Sequence, residues 1–289
     1  MSAVAELVGA LFDDAALFPP GLAPMEVAVP AHRGYRHGPL APFVGPFLVA
    51  DTALPRLAPV LAGEDDAEPL RIGVTVPGGA DAVGPAVSSA VALAGVRLVA
   101  VEAAVAPGDP PVAGTRRTVE ALARHLPDGV TGYVEVPRAG DARASLAVVA
   151  EAGLRAKYRT GGVRADAFPA EEELAVFVRA AVDLAVPFKC TAGLHHAVRH
   201  TAADTGFQHH GFLNVLLAVH AALNGAPPER IAGVLAVRDG RRLAAEAGAL
   251  GTSAARAIRA GFVSYGTCSV TEPLSDLADL GLLPRFSRV

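Results

Sequence analysis

Short apolar runs of alternating or β-branched character recur along the chain, separated by stretches whose apolar positions repeat at helical spacing. The runs are VGPFLVA (44–50), RIGVTVP (71–77), VRLVAVEAAV (96–105), TGYVEVP (131–137), LRAKYR (154–159) and VPFKCT (186–191), followed by RIAGVLAVRD (230–239) and GFVSYGTC (261–268). Helical patterns such as TRRTVEALARHL and AEEELAVFVRAAVDLA lie between them. A run begins roughly every 25 to 35 residues, the length of one βα unit. Eight such units in 289 residues predict a single-domain α/β fold, a TIM-type (β/α)8 barrel spanning 44–289. A doubly wound open sheet is the alternative, but no GxGxxG follows the first run. Residues 1–43, rich in Pro and Gly (LFPPGLAP, HGPLAP), are predicted to be an irregular leader that caps one barrel end.

Alternation also assigns side chains to faces. In 154–159, Leu154, Ala156 and Tyr158 share one face and Arg155, Lys157 and Arg159 the other. In 186–191, Val186, Phe188 and Cys190 oppose Pro187, Lys189 and Thr191. Packing the apolar faces on the helix ring leaves both lysines inside the barrel, late in their strands, where barrel enzymes place their chemistry. Glu102 and Glu135 face inward on the two preceding runs, and Tyr265 and Thr267 on the last if parity holds.

Composition sharpens the interest in the lysines. The chain has 25 Lys and Arg together, and only Lys157 and Lys189 are lysines. A coding bias toward Arg, suggested by abundant Ala, Val, Gly and Pro, makes each surviving lysine informative. The formal charge of −4, the scattered arginines and the absence of Trp give no nucleic-acid footprint. No long uninterrupted apolar run predicts a membrane span. The first residues, MSAVAELVGALFDD, lack a basic secretory n-region, and Cys190 and Cys268 make no disulfide framework, so a cytoplasmic location is expected. Assembly with further copies of the chain is left open.

A lysine near Arg159 and a second lysine in a partly dry cavity is expected to have its pKa lowered. A neutral amine forms a Schiff base with an aldehyde or ketone, and Glu102 and Glu135 would move the protons. Arg159, Thr160, Gly161 and Gly162 offer a guanidinium, a hydroxyl and backbone N–H groups to an anion; an ordinary Gly-Gly turn is the plainer reading. Two lysines and two glutamates could equally be a buried ion-pair set without chemistry.

Six of the nine histidines lie between His195 and His220. His196 and His200 stand at i, i+4, and a divalent metal such as Zn held by His195, His200 or His210 with Glu102 or Glu135 is the alternative cofactor reading; the first expectation is no cofactor. His195 is the best candidate for a proton carrier, and His220, in an apolar stretch, for a structural role.

LFPP (17–20), KYRTGG (157–162), PFKCTAGLHHAVRH (187–200), HGFLN (210–214) and YGTCSVTEPLSDLADLG (265–281) resemble a family of uncharacterised bacterial β/α-barrel-like proteins, from near residue 11 to near residue 283. The resemblance implies that these segments form one site; it lends no activity. Locally, KCTAGL is similar to the KTTPGL segment of quinolinate phosphoribosyltransferases, whose lysine contacts anions, although their downstream KDN-type segment is missing here. At fold level, a lysine on the sixth strand, as Lys189 is by this count, resembles class I aldolases.

The expected function is a lysine-dependent lyase, aldolase-like or a related condensation, acting on a small anionic carbonyl compound. Lys189 would carry the carbonyl, Lys157 tune it, and Glu102, Glu135 and His195 transfer protons. Arg159, Thr160, Gly161, Gly162, Thr191, His196 and Tyr265 would bind the guest. A metal-dependent lyase, isomerase or hydrolase built on the histidines, and a non-catalytic small-acid binding protein, are the alternatives.

Overall fold

Each βα unit returns the chain to the same end of the sheet, so consecutive strands lie parallel and side by side until the sheet closes. A computed structural model describes residues 2–63 and 68–286. Seven strands follow in chain order: β1 (Phe12–Asp14), β2 (Val44–Ala50), β3 (Leu70–Val76), β4 (Val96–Ala104), β5 (Thr131–Glu135), β6 (Arg155–Arg159) and β7 (Phe188–Thr191). A small antiparallel ladder, β8 (His200–Thr201) with β9 (Gln208–His209), sits in the loop after β7. β10 (Phe262–Thr267) then pairs with both β7 and β1 and closes a TIM-type (β/α)8 barrel of eight parallel strands. No helix among the described residues is long and apolar enough to cross a membrane.

Two expectations fail, and each has a physical cause. Residues 1–43 are not a capping leader: they supply β1 and the helix Met25–His37 that follows it. β1 is three residues long, too short for alternation to show. The run at 230–239 is not a strand but the helix Pro228–Leu235. Pro228 in its first turn and Glu229 beside it favour a helix start, and Ile231, Ala232 and Leu235 bury one face. Counted from β1, Lys157 therefore lies on the sixth barrel strand and Lys189 on the seventh.

Parity holds on β6 and β7. Ala156, Tyr158, Phe188 and Cys190 are buried in the layer between sheet and helices. Phe177, on the helix Glu171–Asp183, stacks on Tyr158 with centroids 4.0 Å apart and meets Phe188 edge-on at 5.2 Å. Parity fails on β10. Ser264 registers with Lys189 and Gly266 with Thr191, so Ser264 and Gly266 face the lumen. Tyr265 turns outward, against Phe12 and Phe212, and its buried hydroxyl has no partner among the described residues. Tyr265 is thus a packing residue, remote from any guest in the barrel.

The loops leaving β6 and β7 touch backbone to backbone. A Cβ on Gly193, whose φ is +74°, would lie 2.6 Å from the Thr160 carbonyl oxygen, and one on Gly161 would lie 2.6 Å from Gly193 Cα. Only glycine fits both demands. Gly193→Ala is expected to cost about 1–3 kcal/mol and to displace Thr191 and Arg159 at the barrel mouth. Urea unfolding checks this, and an unchanged midpoint would contradict it.

Candidate functional site

Register, not chance, gathers the charges. Across neighbouring strands Glu135 pairs with Lys157, Lys157 with Lys189, and Lys189 with Ser264, so four inward side chains share one level of the lumen. Lys157 and Lys189 are 3% and 1% exposed, so neither reaches bulk solvent. Asp13 enters from β1 and Glu102 from β4.

The two ammonium groups are held differently. Lys189 Nζ donates to Asp13 Oδ2 at 2.5 Å and to Glu102 Oε1, and stands 5.4 Å from the centre of the Tyr133 ring. Ser264 Oγ donates to the same Asp13 oxygen at 2.7 Å. Lys157 Nζ lies 2.9 Å from Glu102 Oε2 and 3.2 Å from Glu135 Oε2. Both contacts are ion pairs, and Glu102 Oε2 has no other partner among the described residues. Each ammonium thus stands between two carboxylates, and Lys189 is held at the shorter distances. Arg159 closes the series at the mouth, its Nε donating to Glu135 Oε1 at 2.8 Å.

Burial alone would neutralise all of these groups, and their partners decide which stay charged. Burial opposes ionisation of Glu102, but Lys157 and Lys189 on either side hold it at about 2. Glu135 is likewise lowered against burial by Lys157 and Arg159. Burial works against the Lys189 ammonium, yet Asp13 and Glu102 more than offset it and its pKa is raised. The expected depression of Lys189 is thus reversed, because its nearest neighbours are carboxylates rather than cations. Asp13 is the carboxyl drawn toward protonation: burial raises it more than Lys189 lowers it.

A cavity of about 220 Å3 opens above this cluster, room for a small guest. Glu102, Glu135, Lys157, Arg159, Thr191 and His195 line it, with Phe18 and Pro19 from the loop after β1. Lys189 does not line it. Arg159, with its side chain 44% exposed, borders the opening.

The RTGG segment is mostly structural. Thr160 is fully buried, and its hydroxyl donates to the Ala192 carbonyl at 2.5 Å, which removes it from guest binding. Gly161 packs on Gly193 and Phe168, and Gly162 faces Ala167. The cation of this segment at the cavity is Arg159.

The histidines divide into three settings. His195 lines the cavity with Nδ1 3.4 Å from Cys268 Sγ, and burial with neighbouring imidazoles lowers its pKa to about 4. That keeps it neutral near pH 7. His196 contacts Asp276 Oδ2 at 3.1 Å, and the 194–199 segment is a loop rather than a helix, so the i, i+4 argument does not apply. His210 is fully buried elsewhere, between Arg199 and the Pro169 carbonyl. His195, His200 and His210 therefore do not converge, and no three His, Cys, Asp or Glu among the described residues are grouped to hold a metal.

His210 carries a pH prediction. Its Nε2 donates to Pro169 O at 2.8 Å, so Nδ1 must stay unprotonated to accept from Arg199 Nη1 at 3.2 Å. Burial chiefly lowers its pKa to about 4. Because the folded value lies below the unfolded one, near 6.5, this stability is present above pH 6.5 and lost as pH falls toward 4. The loss is on the order of 3 kcal/mol. Denaturant midpoints across that window should fall in the wild type and fall less in His210→Asn; parallel curves would refute the assignment.

Sequence reasoning missed Asp13 and Ser264. Asp13 sits in LVGALFDDAALF, where two acids stand within an otherwise apolar run. That was the available signal, since acids so placed are either exposed by a break or buried with a partner.

No family model matches the chain, and no curated protein does. Among solved structures, the chain is similar to one from Coccidioides immitis solved as a candidate fructose-1,6-biphosphate aldolase. Identity is 10%, the alignment covers 89% of this chain and 90% of that one, and the TM-score is 0.44. A likeness at that level bears on neither substrate nor mechanism.

Proposed function

We propose that the protein is a lyase of the aldol type that binds a small anionic carbonyl compound as a Schiff base on Lys157. One observation carries the reading: Lys157 lines the cavity, whereas Lys189 lies outside the lining and is held more closely by its two carboxylates, Asp13 and Glu102, than Lys157 is by Glu102 and Glu135. The carbonyl-bearing role expected for Lys189 therefore passes to Lys157. By the strand count from β1, Lys157 is also the lysine that matches the sixth-strand analogy with class I aldolases.

Asp13, Glu102 and Glu135 face Lys157, Lys189 and Arg159, three charges of each sign.

Glu135 or Glu102 takes one proton from the Lys157 ammonium, the nitrogen lone pair attacks the carbonyl carbon, and that proton with a second from the nitrogen passes to the carbonyl oxygen, which leaves as water and gives an iminium. Glu135 or Glu102 then removes the β-hydroxyl proton of the guest. The carbon–carbon bonding pair flows to the iminium, an aldehyde departs and an enamine remains. Protonation of the enamine carbon and hydrolysis regenerate the amine. Arg159 holds the anionic group, while Thr191 and His195 form the wall.

The test is borohydride reduction in the presence of a panel of small oxo acids and aldehydes, read by intact mass. A single adduct per chain with loss of turnover is expected; no adduct across the panel would overturn the reading. Turnover that requires one retained Zn, Mn or Fe per chain, and disappears on chelation, would favour the metal-dependent alternative.

A further inference from the structure

Beyond the inner cavity lies a second chamber of about 710 Å3, and Pro19, Arg159, Ala192 and His195 border both. One wall of it is a series of rings. Phe207 packs on Phe168 at a centroid distance of 5.5 Å, Phe168 on His209 at 4.5 Å, and His209 stacks on His200 at 5.1 Å. His200 in turn meets His196 edge-on at 4.7 Å.

Local structure builds this wall. β8 and β9 pair His200 directly opposite His209, which places both rings on one face of the ladder. Val198 O fixes the His200 ring at 3.1 Å, and Gly193 O fixes His209 at 3.1 Å. The wall offers π faces rather than charge, because burial lowers the pKa of both His200 and His209. Asp204 and Glu272 also line the chamber, against the single guanidinium of Arg159 at its boundary. A second anionic group such as a phosphate would meet net negative charge there, whereas a flat uncharged ring would meet stacking partners.

We propose that the outer chamber is the subsite for a planar aromatic half of the substrate, so that the aldehyde released on carbon–carbon cleavage is an aryl or similarly conjugated aldehyde. The inference rests on the aldol-type reading for its chemistry, but the subsite itself does not require Lys157. In the cleavage step the β-hydroxyl proton goes to a glutamate and the bonding pair to the iminium. The departing carbon then becomes a C=O conjugated with the ring on the His200–His209 wall.

The test compares benzoate with cyclohexanecarboxylate by titration calorimetry on the full chain, with imidazole proton resonances followed by NMR. Benzoate should bind about fivefold more tightly and shift the His200 and His209 ring signals, assigned with His200→Gln and His209→Gln. Phe168→Leu should reduce the preference. The same preference in Lys157→Met, together with failed borohydride trapping in the wild type, would leave the subsite standing and refute the lysine chemistry alone. Equal affinity for the two acids, no binding of either, or shifts confined to other histidines would overturn the proposal.

Discussion

Lys157→Met is expected to lower turnover by roughly 10^4-fold or more and to abolish borohydride trapping, while leaving a folded protein. The fold tolerates the change because each carboxylate that Lys157 touches keeps a second cation: Glu102 retains Lys189, and Glu135 retains Arg159. Lys157→Arg is the sharper control. It preserves the positive charge but replaces an amine with a guanidinium that stays protonated and cannot form the imine, so it should be as inactive as the methionine variant. Circular dichroism and denaturant midpoints alongside the kinetics separate lost chemistry from lost structure. Arginine restoring substantial turnover would mean that Lys157 acts only as a charge.

Lys189→Met should behave in the opposite way and strike stability first. Removing this ammonium leaves Asp13 with Ser264 as its remaining close partner and Glu102 with Lys157 alone. Breaking a buried pair by deleting one partner costs about 3–5 kcal/mol. The variant should therefore unfold at a markedly lower urea concentration. Adding Asp13→Asn to Lys189→Met removes the uncompensated carboxylate, and the double variant should recover part of the loss, a coupling expected of residues in direct contact. A Lys189→Met protein as stable as the wild type would show that the buried network contributes nothing to the fold.

The contrast between the two lysines was only half legible in the sequence. Their scarcity, their strand parity and their inward direction could all be read from AKYRT and PFKCT, because both strands alternate cleanly against an apolar outer face. The difference between them could not. It depends on Asp13, supplied by a strand too short to announce itself. The false strand at 230–239 arose from the usual ambiguity of a short apolar run, although Pro228 and Glu229 were helix-start signals in plain view. On β10, parity was misjudged for Tyr265 because its phase is fixed by pairing with β7 rather than by composition. Thr160 looked like a free hydroxyl in RTGG, yet the close approach of Gly161 and Gly193 brings the Ala192 carbonyl within its reach. Contacts between loops of this kind leave no periodic trace.

The ring wall of the outer chamber was similarly hidden. Six histidines between positions 195 and 220 offered a metal as an alternative to no cofactor, since imidazoles close in sequence are a familiar signature of one. The β8–β9 ladder stacks His200 on His209, while His210 is buried elsewhere and His195 faces Cys268.

The most direct measurement is where the reduced adduct sits. Peptide mass mapping after borohydride trapping should place the whole of the added mass on the peptide carrying Lys157, with the Lys189 peptide unmodified. An adduct on Lys189 would contradict the account, because that amine would then have to leave Asp13 and Glu102 and reach a cavity it does not line.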